Sequence, residues 1–142
     1  MANLVGSFRA ALAADLAVQF PEAEVSQGPR SGKATQNPKI AVFWPGTAEQ
    51  EGRVVVGQAR MIVRYWPTSA LIRDDAPAGV RDPSELEQAA FDLQDFLQTK
   101  QQAYLSTGVW FNRLTRVEPD YDPDEWGVEA ELVLWFTNPA VI

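Results

Sequence analysis

The sequence has no cysteine and no histidine in its 142 residues. Without cysteine there are no disulfides and no thiolate nucleophile. Without either residue the usual Cys/His zinc sites are excluded, and so is every histidine-based proton relay. Long apolar runs are also missing, and none approaches the roughly 18–20 residues of a membrane span. The N-terminus shows no basic region followed by an apolar stretch, so no signal peptide is expected and the chain reads as soluble. What is abundant is core-forming material. Hydrophobic residues make up 46% of the chain, with five Trp and seven Phe, enough for one well-packed domain spanning residues 1–142.

Positive charge is scarce and unevenly placed. The net charge is −7. Residues 1–73 hold eight Lys/Arg against five Asp/Glu, whereas residues 74–142 hold four against fourteen, so the halves carry +3 and −10. So acidic a chain is a poor binder of duplex DNA, because sequence-independent affinity comes from Lys and Arg on phosphates. The asymmetry leaves two possibilities open. Oppositely charged surfaces suit head-to-tail contact between identical subunits. Alternatively, folding mixes the two halves and the asymmetry disappears.

Periodicity supplies the elements. Leu4, Phe8, Leu12 and Leu16, with Ala11 beside them, predict an amphipathic helix over Asn3 to Phe20, with Asn3 as N-cap and Pro21 as terminator. The segment SQGPRSGKATQNPK, Ser26 to Lys39, is polar and rich in Gly and Pro, and reads as a long loop. Lys39 to Trp44 and Arg53 to Trp66 read as strands, the second with small or apolar residues at odd positions and Arg60 and Arg64 at even ones. The intervening turn predicts an antiparallel hairpin. A second helix starts at an Asp82 cap with Pro83 in its first turn and carries Leu86, Ala90, Leu93, Leu97 and Tyr104 on one face, with Ala89 and Phe96 adjacent. RLTRVEP and WGVEAELVLWF form a last strand pair, with Val128, Ala130, Leu132, Leu134 and Phe136 sharing a face opposite Glu129 and Glu131. The expectation is α+β: a mainly antiparallel sheet with two helices packed on one face, and a long polar loop after the first helix.

Several motifs invite a chemical reading. Asp120, Asp122 and Asp124 fall at positions 1, 3 and 5 of a calcium loop, with Glu131 at 12. Position 6 needs a sharp turn, normally glycine, and is Glu125; an extended strand also carries Glu131 away by about 3.3 Å per residue. A solvated acidic turn is the favoured reading. Two of these carboxylates as a glycosidase pair would need a cleft, and nothing else in the chain points to a sugar. GPRSGKAT lacks both the glycine spacing and the Ser/Thr of a phosphate-binding loop. Ser69 and Ser106 have no histidine base. No catalytic, cofactor-binding or metal residue is therefore assigned. Candidate contact residues are Arg30, Lys33 and Lys39 in the polar loop, an isolated basic patch, and Asp120, Asp122, Asp124 and Glu125 in the acidic turn. Trp44, Trp66, Trp110 and Trp126 stand at element ends, where Trp serves either core or interface.

In its succession of elements the chain resembles the tail terminator proteins of long-tailed bacteriophages. The resemblance is carried by the N-terminal helix, the polar loop, the strand ending in IVRYWPTS, the long middle helix, and the closing block VWFNRLTRVEPDYDPDEWGVEAELVLWF. It implies a structural protein without chemistry or cofactor, assembled in the host cytoplasm and located in the virion at the head–tail junction. Family members form a hexameric ring on the last ring of the tail tube, end its polymerisation, and meet the head–tail connector or stopper protein. Their partners would be other copies of the chain, the tube protein and the connector, with no membrane, and with DNA passing through the lumen without specific binding. A head–tail connector or tail-tube subunit remains an alternative. So does a calcium or small-ligand binding module built on Asp120, Asp122 and Asp124.

Overall fold

The computed structural model describes residues 4–29, 38–45, 58–67, 82–100, 109–122 and 125–136. Among them, helix α1 spans Leu4–Gln19 and a short strand, β1, spans Glu24–Ser26. Strands β2, Lys39–Phe43, and β3, Gln58–Trp66, follow. Helix α2, Pro83–Gln98, precedes β4, Val109–Asp120, and β5, Gly127–Phe136. The sheet order is β1-β2-β3-β5-β4. Among these pairings only β1–β2 is parallel. This is the α+β architecture expected from the sequence.

The alternation of apolar residues decides which face the helices cover. In register, Ile40 and Val42 of β2 pair with Tyr65 and Val63 of β3, and Val63 and Met61 pair with Ala130 and Leu132 of β5. These residues, with Val128 and Leu134, share one face. Phe8, Leu12 and Leu16 of α1 and Leu86, Leu93, Phe96 and Leu97 of α2 pack there in a single buried cluster. The four-residue recurrence in α1 thus marks its buried stripe. In α2, Ala89 and Phe96 are buried while Ala90 is only partly so, which turns the stripe slightly from the one read in the sequence.

Several boundaries differ from expectation, each for a local reason. Strand β1 is not expected from the sequence, because three residues cannot show a period of two. It gives the long polar segment a structural task, since Glu24, Val25 and Ser26 pair in parallel with Lys39, Ile40 and Ala41. A parallel pair needs a crossover connection of about a dozen residues, and residues 27–38 supply it. Helix α2 ends at Gln98 although apolar spacing continued to Tyr104, a residue that lies outside the described ones. The Thr99 backbone N–H donates to Phe96 O at 3.1 Å and the Lys100 N–H to Leu97 O at 3.0 Å, the Thr99 hydroxyl donates to Phe96 O at 2.6 Å, and the Lys100 side chain is drawn to Asp15 of α1 at 3.4 Å. At the other end Asp82 caps the helix as expected, accepting from the Ser84 N–H at 3.0 Å. The proposed Asn3 cap lies outside the described residues, as do residues 53–57 of the expected Arg53–Trp66 strand.

Strand β4 begins four residues before the Arg113 start expected from sequence, and has register shifts between Phe111 and Arg113 and between Leu114 and Arg116. Each shift inserts a residue and reverses the phase of the alternation. Leu114 and Val117, three apart, therefore both reach the core. No helix among the described residues is long and apolar enough to cross a membrane.

Leu132 is fully buried on β5, the strand between β3 and β4. Leu132→Ala is expected to cost about 2–5 kcal/mol through lost burial and the cavity left behind, measured as a drop in urea-unfolding free energy.

Candidate functional site

The sheet face turned away from the helices has a different composition, which follows from the same alternation. The residues interleaved with the core positions are Arg60, Ile62, Arg64 and Trp66 on β3 and Glu129, Glu131 and Val133 on β5. Register sets two charges beside apolar residues and one pair of opposite charges face to face: Arg60 faces Val133, Ile62 faces Glu131, and Arg64 faces Glu129. The phase change in β4 adds Arg116 opposite Glu131 and Glu118 opposite Glu129.

The side chains join across all three strands. Arg64 Nε donates to Glu129 Oε1 at 2.5 Å, and Arg60 Nη1 donates to Glu131 Oε2 at 2.9 Å. Arg116 is the hub. It donates to Glu129 at 2.5 Å and to Glu118 at 3.2 Å, and its Nε lies 3.6 Å from Glu131. Glu118 and Glu129 are like charges directly opposite each other, a destabilising arrangement if left alone, and Arg116 bridges them. Three arginines and three glutamates balance within the network. Ile62 and Val133 on the same face are buried, 6% and 9% exposed.

Burial pushes the Glu129 carboxyl up, but the hydrogen bonds and charges of Arg64 and Arg116 outweigh it and hold the group below its ordinary value. The hydrogen bond to Glu129 conversely holds the Arg116 guanidinium above its own, against a smaller effect of burial. A carboxylate kept ionised by two arginines serves as a fixed anion. It is badly placed to donate or accept protons near neutral pH.

The acidic turn lies at one end of this face. Asp120 closes the β4–β5 pairing opposite Gly127. Its Oδ1 accepts from the Asp122 N–H at 3.0 Å, and the Asp122 carbonyl accepts from the N–H groups of Glu125 and Trp126 at 2.9 and 2.7 Å. Trp126 enters β5 with φ 42°, in the left-handed region that bulky residues rarely adopt. Its indole is buried in the core, and Nε1 donates to Glu85 Oε1 of α2 at 2.8 Å. Gly127 is required by contact: a Cβ there would lie 2.8 Å from the Trp66 ring and 3.0 Å from the Tyr65 carbonyl oxygen.

Of the candidate contact residues, the structure gathers Asp120, Asp122 and Glu125 in this turn; Asp120 and Asp122 are exposed and Glu125 is half-buried. Asp124 lies outside the described residues, as do Arg30 and Lys33. Lys39 does not sit on a solvated loop. It is the first residue of β2, 3% exposed, and pairs with Trp66 at the same end of the sheet as the turn. The burial of Lys39 sets it apart from Asp120 and Asp122, which are exposed. Glu131, the twelfth position of the calcium-loop reading, stands four residues along β5 from Gly127, about 13 Å away at strand rise, and is bound by Arg60 and Arg116. Among the described residues no group of three or more carboxylates could hold a metal ion.

Sequence reading placed Arg60, Arg64, Glu129 and Glu131 on polar strand faces but gave no pairing. Arg116 was harder to place, because the register shift that aligns it has no simple periodic signature. The first half's Arg60 and Arg64 are neutralised by the second half's Glu129 and Glu131, so folding mixes the charge asymmetry at this face.

Because the folded state lowers the Glu129 pKa, its ion pairs contribute stability above the ordinary glutamate value of 4.5, and that contribution is lost as pH falls through the lower folded-state value. Glu129→Gln is expected to be less stable than the parent at pH 7 and to show a shallower loss of stability on acidification below about pH 4.5, read from urea midpoints across a pH series. Equal acid slopes for the two proteins would contradict the ion-pair assignment.

No protein-family model matches this sequence, and no curated protein matches it either.

Proposed function

We propose that the chain is a structural virion protein that forms a ring, caps the phage tail tube, ends its polymerisation and joins the tail to the head connector. The observation that carries this reading is the one-sided sheet, whose second face has its carboxylates committed to arginines rather than left available for chemistry. Such a face tolerates water or a polar neighbour and presents no strong field of one sign. The α+β order of elements agrees with the tail-terminator resemblance, and the lack of histidine and cysteine removes the commonest catalytic apparatus. In this reading the acidic turn, with Asp120, Asp122 and Glu125, meets a basic surface on a neighbouring subunit, the tube or the connector. Ring closure would follow from heterologous contacts, each subunit offering a different surface to each neighbour.

Electron microscopy of the purified protein, alone and mixed with tail tubes of the phage that encodes it, tests the assignment. Closed rings, seated at tube ends in the mixture, are the expected outcome. Indefinite filaments of the protein alone would make it a tube subunit instead, and failure to associate with tubes would overturn the terminator reading.

A further inference from the structure

Two costly features meet at the entry of β5. Trp126 holds a left-handed backbone, φ 42°, where an aromatic side chain is strained. Its neighbour Glu125 has Oε2 buried without a hydrogen-bond partner, so it loses solvation with no return. Each would be relieved if this point of the chain moved outward into water. What opposes the movement is also identifiable: the buried indole, the Nε1–Glu85 hydrogen bond at 2.8 Å, and the ring of Tyr121 packed edge-on at 5.9 Å.

We propose that Glu85 and Trp126 form a latch, holding the entry of β5 in a loaded conformation against the first turn of α2. The closed state is the one described. In the open state the indole leaves the core, the Trp126 backbone relaxes from the left-handed region, and the Glu125 carboxylate gains water. The latch then places an aromatic ring and a carboxylate side by side on the surface, at the end of the sheet where Asp120 and Tyr121 are already exposed. The element is bistable because its parts oppose each other. Strain and desolvation favour opening; apolar burial, the Glu125 and Trp126 N–H bonds to the Asp122 carbonyl, and one charge-assisted hydrogen bond favour closure. It is also local. The Asp82 cap is anchored to Ser84 rather than to Trp126, so α2 keeps its own start when the latch opens. The pairing of β5 with β3 runs from Val128 to Trp135 and does not include Trp126. This inference does not rest on the tail assignment.

Native-state hydrogen exchange read by mass spectrometry separates the latch from ordinary packing. Trp126→Phe keeps an aromatic ring but deletes the indole donor, and Glu85→Ala deletes the acceptor. Each is expected to speed exchange at the backbone amides of positions 125 and 126 about tenfold to a hundredfold, the range for losing one charge-assisted hydrogen bond. Amides at Met61–Val63 and Ala130–Leu132 should keep their parent rates. Glu85→Gln retains a carbonyl acceptor without the charge and is expected to exchange at rates between those of the parent and Glu85→Ala. Unchanged exchange in Glu85→Ala would overturn the latch, as would acceleration spread equally across β3 and β5. Exchange in Glu85→Gln as fast as in Glu85→Ala would also overturn it, because a retained acceptor would then contribute nothing to holding the turn.

Discussion

The structure depends on a sheet whose one face takes both described helices. Its strands bury Ile40, Val42, Met61, Val63, Val128, Ala130, Leu132 and Leu134 against α1 and α2, and among the described residues no helix covers the opposite face. That face must be compatible with water and must still keep β3, β5 and β4 in register. The arginine–glutamate network meets both demands. Its guanidiniums and carboxylates cross the strand gaps and pair there.

The network also ties distant parts of the chain together. Arg60 and Arg64 come from the middle of the sequence, and Arg116, Glu118, Glu129 and Glu131 come from the final hairpin. The core cluster joins the same strands from the other side. Register between β3 and β5 is thus specified twice, since a slip by one residue would put arginines into the core and apolar residues beside the glutamates. The acidic turn takes its shape from this arrangement. Gly127 is held under the Trp66 ring, Trp126 is pulled to Glu85, and Asp120 and Asp122 are left facing water.

Much of this was legible before any coordinates. The four-residue spacing in α1, the Asp82-Pro83 start of α2, and the alternation in β3 and β5 depend on nearest neighbours along the chain, and they lead to the fold class. What could not be read depends on pairing between distant residues. Strand β1 is a strand only because β2 lies beside it. Arg116 becomes the hub only because register shifts in β4 set it opposite Glu131. Lys39 looked like part of a basic loop from its neighbours in sequence, yet its position beside Trp66 buries it. The aspartate spacing imitated a calcium loop in one dimension, while the sheet carries Glu131 away from it in three.

The central claim is that Arg64 and Glu129 are energetically coupled across the β3–β5 gap on the face turned away from α1 and α2. Both side chains keep contact with water, so the coupling is screened and belongs to the range of cross-strand ion pairs. A double-mutant cycle of Arg64→Ala and Glu129→Ala, measured by urea unfolding at low salt, tests it most directly. A coupling of about 0.5–1 kcal/mol that shrinks with added salt is the expected result. Additive single substitutions, with no coupling at any salt concentration, would contradict the account.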